Sequence, residues 1–326
     1  MCGRFSLGLP HGEIQALHGY NVQVAEWIEQ DQFVPRHNIA PRSQAPVLHN
    51  RETGEGNEIE PAADVLMHTM KWGLVPHWSK HEDKTLSTTN ARSENLVEGG
   101  GMWASIKGKR RCAVLCQGYY EWLRKGKERF PHFTKHKDGR LMLLAGLYDR
   151  TVLEGESQPL WTFTIVTTAA NKEFEWLHDR QPVILSSTEA LKTWLDTSTQ
   201  KWAPGLSELV EPYSDSSSPL VWRVFNYQVP KEVGKVGTES PTFIQPISER
   251  KDGIQAMFSK QQAAATSLPK KRKRSASPSQ CDIKRDVKEE SLAATPQNPS
   301  VEKLNAWEDD SDIEYIDGPY TPKPEV

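Results

Sequence analysis

Four apolar, β-branched segments set the strongest limit on the fold: "RCAVLCQGYYEW" (111–122), "RLMLLAGLYD" (140–149), "LWTFTIVTTAA" (160–170) and "LVWRVFNYQV" (220–229). Each is short enough for a strand, and Gly, Pro and Asp punctuate the stretches between them, so they read as members of a mostly antiparallel sheet system. Helical spacing is rarer and brief. It occurs in "PHGEIQALHGY" (10–20) and in "STEALKTWLDT" (187–197), the second preceded by a Ser/Thr cap signal. The polar insert "NRETGEGNEIEPAAD" (50–64) reads as a loop between strands. The expected class is α+β, dominated by antiparallel β structure, with short peripheral helices.

This globular character is expected to hold over residues 1–258, where ten of the 11 tryptophans lie. Beyond it, "QQAAATSLPKKRKRSASPSQ" and alternating charge blocks bury too little apolar surface to offset the entropy of ordering, so 259–326 reads as a disordered tail. The basic run Pro269 to Arg274 resembles a nuclear import signal, which places the protein in the nucleus. "VKEE" around Lys288 resembles a SUMO acceptor site, and "DDSDIEYID" could dock on a partner's sheet edge, so SUMO-pathway or replication-fork proteins are candidate tail partners. No run approaches the roughly 18 apolar residues that cross a membrane. Four cysteines in 326 residues make no disulfide framework, and a net charge of −3 confines any nucleic-acid affinity to local patches.

The chain begins "MCGRF". Trimming of Met1 would leave Cys2 with a free α-amine beside its thiol. An α-amine has a reference pKa of about 7.7–8.0, so an appreciable fraction is an unprotonated nucleophile at neutral pH, and a thiol with a pKa of about 8.5 sits beside it. Against an aldehyde, the amine forms a Schiff base and the sulfur closes a five-membered thiazolidine, which neither an internal cysteine nor a lysine can do. The competing reading is a small buried hydrophobe, as most cysteines are.

Polar residues elsewhere shift that balance. Glu121 lies between Tyr120 and Trp122, whose rings would desolvate its carboxyl and raise its pKa toward the range suited to proton transfer; the alternative is a carboxylate on the solvent face of an edge strand. His178 precedes the apolar run of "DRQPVIL", as a catalyst or a hydrogen-bonded structural residue. Asn90 could bond a small polar group or serve a turn. Cys112 and Cys116, on one face if 111–122 is a strand, have no second Cys/His pair to complete a zinc tetrahedron. "VGKVGTES" (233–240) lacks P-loop spacing and reads as an irregular loop, a candidate neighbour of the site.

In order, "MCGRF", "NIAPRSQAPV" (38–47), "KWGLVPHW" (71–78), "TTNARSE" (88–94), "RRCAVLCQGYYEW" (110–122) and "HDRQPVIL" (178–185) resemble the SRAP family, named for SOS response-associated peptidases. The resemblance spans roughly residues 1–248 and departs from the family's "DGFYEW" at Gln117, where an acid is usual. It implies a distorted barrel, single-stranded DNA as partner, capture of the abasic-site aldehyde on Cys2, a monomer, and no metal or organic cofactor. Carried over, Cys2 is the nucleophile, Glu121 moves protons, His178 assists sugar opening and crosslink release, and Asn90 orients the amine or sugar oxygen. Arg4, Arg92 and Arg180 are assigned to phosphates, or alternatively to salt bridges with Asp179 or Glu94. Trp72, Pro41 and Trp78 are candidates for an apolar wedge, though tryptophans also serve cores. "KGKRR" (107–111) is a weaker candidate for the groove's rim. The alternatives are an N-terminal-nucleophile (auto)peptidase using the same groups, or a noncatalytic reader of modified bases.

Overall fold

The computed structural model describes residues 2–52, 65–99, 101–212 and 224–249. In chain order its strands are β1 (Arg4–Leu7), β2 (Val24–Ile28), β3 (Arg36–Ile39), β4 (Gln44–Asn50), β5 (Val65–Trp72), β6 (Asn90–Arg92), β7 (Arg111–Cys116), β8 (Gly118–Lys125), β9 (Glu128–His136), β10 (Met142–Thr151), β11 (Leu160–Ala169), β12 (Arg180–Pro182) and β13 (Val224–Gln228). The helices are short: α1 (His11–Gln15), α2 (Ser93–Val97), α3 (Thr188–Leu195) and α4 (Pro204–Val210). The expected mostly antiparallel, barrel-like α+β class is what the chain adopts. The tail and its motifs, the Lys288 site among them, lie outside the described residues.

Strands β11, β10, β7, β4 and β5 pair in that order, and β5 then returns to β11 through Thr162 opposite Lys71 and Phe163 opposite Trp72, closing a five-strand barrel. That closing contact is parallel, while the barrel's other pairings are antiparallel. β2 takes the rest of the same β5 edge. A second sheet runs β13-β9-β8-β1-β3.

The segment 111–122, expected to be one strand, is two. β7 belongs to the barrel and β8 to the second sheet, and the chain changes sheets at Gln117. Two features make the break. Gln117 is tied to β1 by its N–H to Ser6 O (2.7 Å) and its Oε1 from Gly8 N–H (2.7 Å). At Gly118 a Cβ would lie 2.4 Å from Thr134 O, so only glycine admits β9 this closely. The amide oxygen of Gln117 thus fills an acceptor's place that a carboxylate could equally fill.

Trp72 joins the two sheets: its ring lies parallel to Phe163 of β11 (6.3 Å) and 5.0 Å from Phe5 of β1, with Nε1–H donating to Thr89 O (3.0 Å). The larger core fills the barrel and the space against β1, and a smaller one of Tyr120, Phe133, Val229, Val233 and Phe243 covers the other face of the second sheet. Ser187 caps α3 through Ala190 N–H (3.1 Å), as its sequence signal predicts. At the far end of α3, Arg111 is buried and donates to the carbonyls of Trp194 and Asp196. Within the run 107–111, Lys107 donates to Leu96 O (2.6 Å), Arg110 pairs with buried Asp149 and Arg111 is buried, while Lys109 is exposed.

Candidate active site at the chain start

β1 pairs with β8, Arg4 opposite Tyr120, and this carries the chain start toward Glu121. Cys2 is fully buried in the larger core. Burial first, then the charges of Glu121 and Cys116, push its thiol well above the usual range. The thiol is therefore held protonated, which differs from the ordinary free-thiol ionisation assumed from the sequence. The difference arises because the core around Cys2 cannot be read from "MCGRF".

Glu121 is 4% exposed and sits in the middle of β8, between β1 and β9, not on an edge strand. Burial raises its carboxyl to about 7, the α-amino terminus opposes the rise, and Asp179 adds to it. His178 lies on the turn before β12. Burial first and then the α-amino terminus hold its ring down at about 4, against the pull of Asp179. Its Nδ1 is 3.0 Å from Arg180 N–H and 2.7 Å from Asp179 Oδ1. One electrostatic neighbourhood therefore joins Glu121 to the Cys2 thiol, and the amine of the untrimmed chain, one residue before Cys2, acts on both Glu121 and His178. Near neutral pH it offers a carboxyl that gains and loses a proton readily and an imidazole that is uncharged.

The end of β11 gathers the remaining polar residues. β6 sets Asn90 beside Ile165 and Arg92 beside Thr167, while β12 sets Arg180 beside Ala169. Asn90 Oδ1 is buried and accepts no hydrogen bond among the described residues. Arg92 is exposed. Arg180 grips Glu94 with both terminal nitrogens (2.5 and 3.0 Å) and donates to Thr167 O (2.7 Å). Partial burial raises the Glu94 carboxyl, but the hydrogen bonds and charge of Arg180 outweigh it and hold it below the usual range.

Arg4 is also engaged. It donates to Asn38 Oδ1 (3.0 Å) and to the carbonyls of Val233 (2.9 Å) and Gly234 (3.3 Å). Asn38 Nδ2 in turn faces the carbonyls of Val233, Lys235 and Thr238 at 3.0–3.2 Å. The glycine-bearing loop noticed in the sequence is thus clamped beside the chain start. Of the three wedge candidates, Trp72 lies in the core with no exposure. It supports the turn between β3 and β4 that carries half-buried Pro41, accepting Arg42 N–H at its carbonyl (2.7 Å). Trp78 is 55% exposed, on a loop fixed by His77, whose N–H and ring Nδ1 both meet buried Asp149 at 2.9 Å.

Sequence reading passes over Asn38, His132 and Trp176. His132 stands opposite Glu121 on β9, and Trp176 packs edge-to-face on it (5.2 Å). The only signal available was the strand register, which puts His132 next to Glu121 once the hairpin is drawn.

Residues 1–236 match the family described as SOS response associated peptidase (SRAP). The abasic site processing protein YMR114C of Saccharomyces cerevisiae is 34% identical over 76% of this chain and 68% of its own length. The abasic site processing protein HMCES of Gallus gallus is 31% identical over 60% of this chain and 66% of its own. The abasic site processing protein YoqW of Bacillus subtilis is 31% identical over 75% and 99%. Among solved structures, a protein from Bacteroides thetaiotaomicron shares the fold, with a TM-score of 0.59 and 22% identity over 75% of this chain and 99% of that one.

Proposed function

The chain belongs to the SRAP family, and from that premise we propose that it captures abasic sites in single-stranded DNA as a covalent thiazolidine on Cys2. The observation that carries this reading is the burial of Cys2 at the chain start beside Glu121, whose carboxyl is raised to about 7 and whose charge acts on the Cys2 thiol. The abasic-site names of its relatives favour the substrate.

Capture proceeds in two bond-forming steps. The Cys2 amine, exposed by loss of Met1, adds to the open sugar's C1 aldehyde and expels water as the Schiff base forms. The buried sulfur then attacks the same carbon of the protonated Schiff base, its proton passing to the Glu121 carboxylate while the nitrogen regains its electron pair and keeps the proton it already carries. A carboxyl that titrates near 7 can give the first proton and take the second. Uncharged His178 assists ring opening of the sugar and reversal of the adduct, and Asn90 Oδ1 offers an acceptor to the amine or a sugar hydroxyl. Ring closure also removes the iminium that would acidify C2 and let the 3′ phosphate leave, so the strand stays whole. Arg92, Pro41 and Trp78 face the strand; Arg4 and Arg180 hold the surrounding loops and reach phosphate only by exchanging their present partners. Nuclear location, supported by the basic run Pro269 to Arg274, agrees with this substrate.

The test mixes full-length protein with abasic single-stranded DNA and runs a denaturing gel. A heat-stable band that Cys2→Ala abolishes is expected, with intact mass showing loss of Met1. A reader of modified bases leaves no such band, and that outcome would sink the proposal. The family's peptidase name fits the same cluster acting on the bond before Cys2; a variant blocked in all trimming except its own would separate the two.

A further inference from the structure

Trp176 is 52% exposed although it stands two residues from His178, in a fold that has buried larger runs of aromatics elsewhere. Its exposure is built in. The turn that carries it is closed by Phe174 N–H (2.9 Å) and Glu175 N–H (3.0 Å) on Asn171 O. Asn171 Oδ1 also takes the N–H groups of Glu173 and Phe174, both at 3.1 Å. Phe174 and Leu177 on either side are buried anchors, so the turn cannot swing the indole inward. Among the described residues the one ring it touches is His132, edge-to-face at 5.2 Å with planes 82° apart.

His132 locates the indole. It is the direct cross-strand partner of Glu121, and directly opposed residues leave the same face of a sheet with Cβ atoms about 5 Å apart. Adding the ring contact puts the indole on the side of β8 and β9 from which Glu121 projects, one side chain beyond its cross-strand partner. Burial lowers the His132 pKa, and its Nδ1 is engaged with Phe130 O (2.9 Å), so the support beneath Trp176 is a fixed, uncharged ring. A rigid, half-exposed π-face packed on the cross-strand partner of Glu121 suits a flat apolar ligand that arrives already joined to the reacting sugar.

We propose that Trp176 is the stacking platform for the unpaired nucleobase adjacent to the captured abasic sugar, an inference that rests on the abasic-site reading above. A base lost from the strand leaves its neighbour without a stacking partner on that side, and an indole replaces it without sequence preference, since every base presents a π-face.

The experiment crosses protein and DNA changes. Full-length wild type, Trp176→Ala and Trp176→Phe are each reacted at subsaturating concentration with two single strands. In one the abasic site is flanked by adenines; in the other by tetrahydrofuran spacers that keep the backbone and lack bases. Crosslinking rates are read on denaturing gels. Wild type is expected to favour the adenine-flanked strand about tenfold, Trp176→Ala to lose that preference, and Trp176→Phe to keep most of it. If Trp176 merely covers His132, the alanine variant slows both strands alike and the preference persists, which overturns the inference while leaving the parent reading intact. A wild type that ignores the flanking bases also overturns it. No wild-type adduct with either strand defeats the parent reading and this one together.

Discussion

A carboxyl in the Glu121 environment has consequences that reach beyond catalysis. Its folded pKa of about 7 lies above the unfolded value, so the native state holds an extra proton between those limits and stability falls as pH rises through them. The shift amounts to ~3 kcal/mol at about 1.4 kcal/mol per unit. Glu121→Gln is therefore expected to melt higher than wild type at about pH 8, by several degrees, with the gap narrowing toward about pH 5. The same variant should slow adduct formation and erase the inflection near pH 7 from its rate profile. Stopped-time gels across pH, with thermal melts alongside, check both. The raised carboxyl was expected from "YYEW", but its cause differs. Neighbours along a strand leave opposite faces, Tyr120 and Trp122 join the smaller core, and it is the central place of β8 between β1 and β9 that buries Glu121. The suppressed thiol was not expected, because its causes, Cys116 and the core, are distant in sequence.

Among the elements, strands were legible from composition, but their partition between sheets was not. The run "RCAVLCQGYYEW" has one continuous apolar character, and nothing in that pattern marks the exchange of sheets at Gln117. What marks it is the approach of Thr134 O to Gly118, a contact made by β9. The loop at 233–238 was recognised as irregular, yet its function as a clamped wall needed Asn38. Replacing Asn38 by alanine leaves the carbonyls of Val233, Lys235 and Thr238 without that donor, at a cost of about 1–3 kcal/mol. Amide exchange within 233–238 should accelerate accordingly, measured by mass spectrometry, while the barrel strands β7 and β10 keep their protection. Uniform acceleration would mean that the clamp stabilises the whole fold rather than the loop.

At the scale of the molecule, the barrel came from family resemblance and not from periodicity. Its closure pairs β5 with β11, nearly a hundred residues apart, through two residue pairs that leave no local signature. Trp72 stands at that seam, and its place in "KWGLVPHW" allowed either a core or a surface role. Trp72→Ala is expected to cost about 3–5 kcal/mol, as deletion of a large buried ring does, and to lower the denaturation midpoint. Trp78→Ala should leave the midpoint within experimental scatter and weaken DNA binding instead. Equal midpoints for the two variants would show that Trp72 does not join barrel to sheet.

The sulfur of Cys2, sunk in the core with its ionisation suppressed, has one more implication. Peroxides and soluble alkylating agents attack the thiolate, and this residue exposes almost none of it. Such a terminus keeps its reactivity in reserve. In the proposed capture it would stay intact among stray electrophiles until a sugar, already fastened to the neighbouring nitrogen, is delivered onto it.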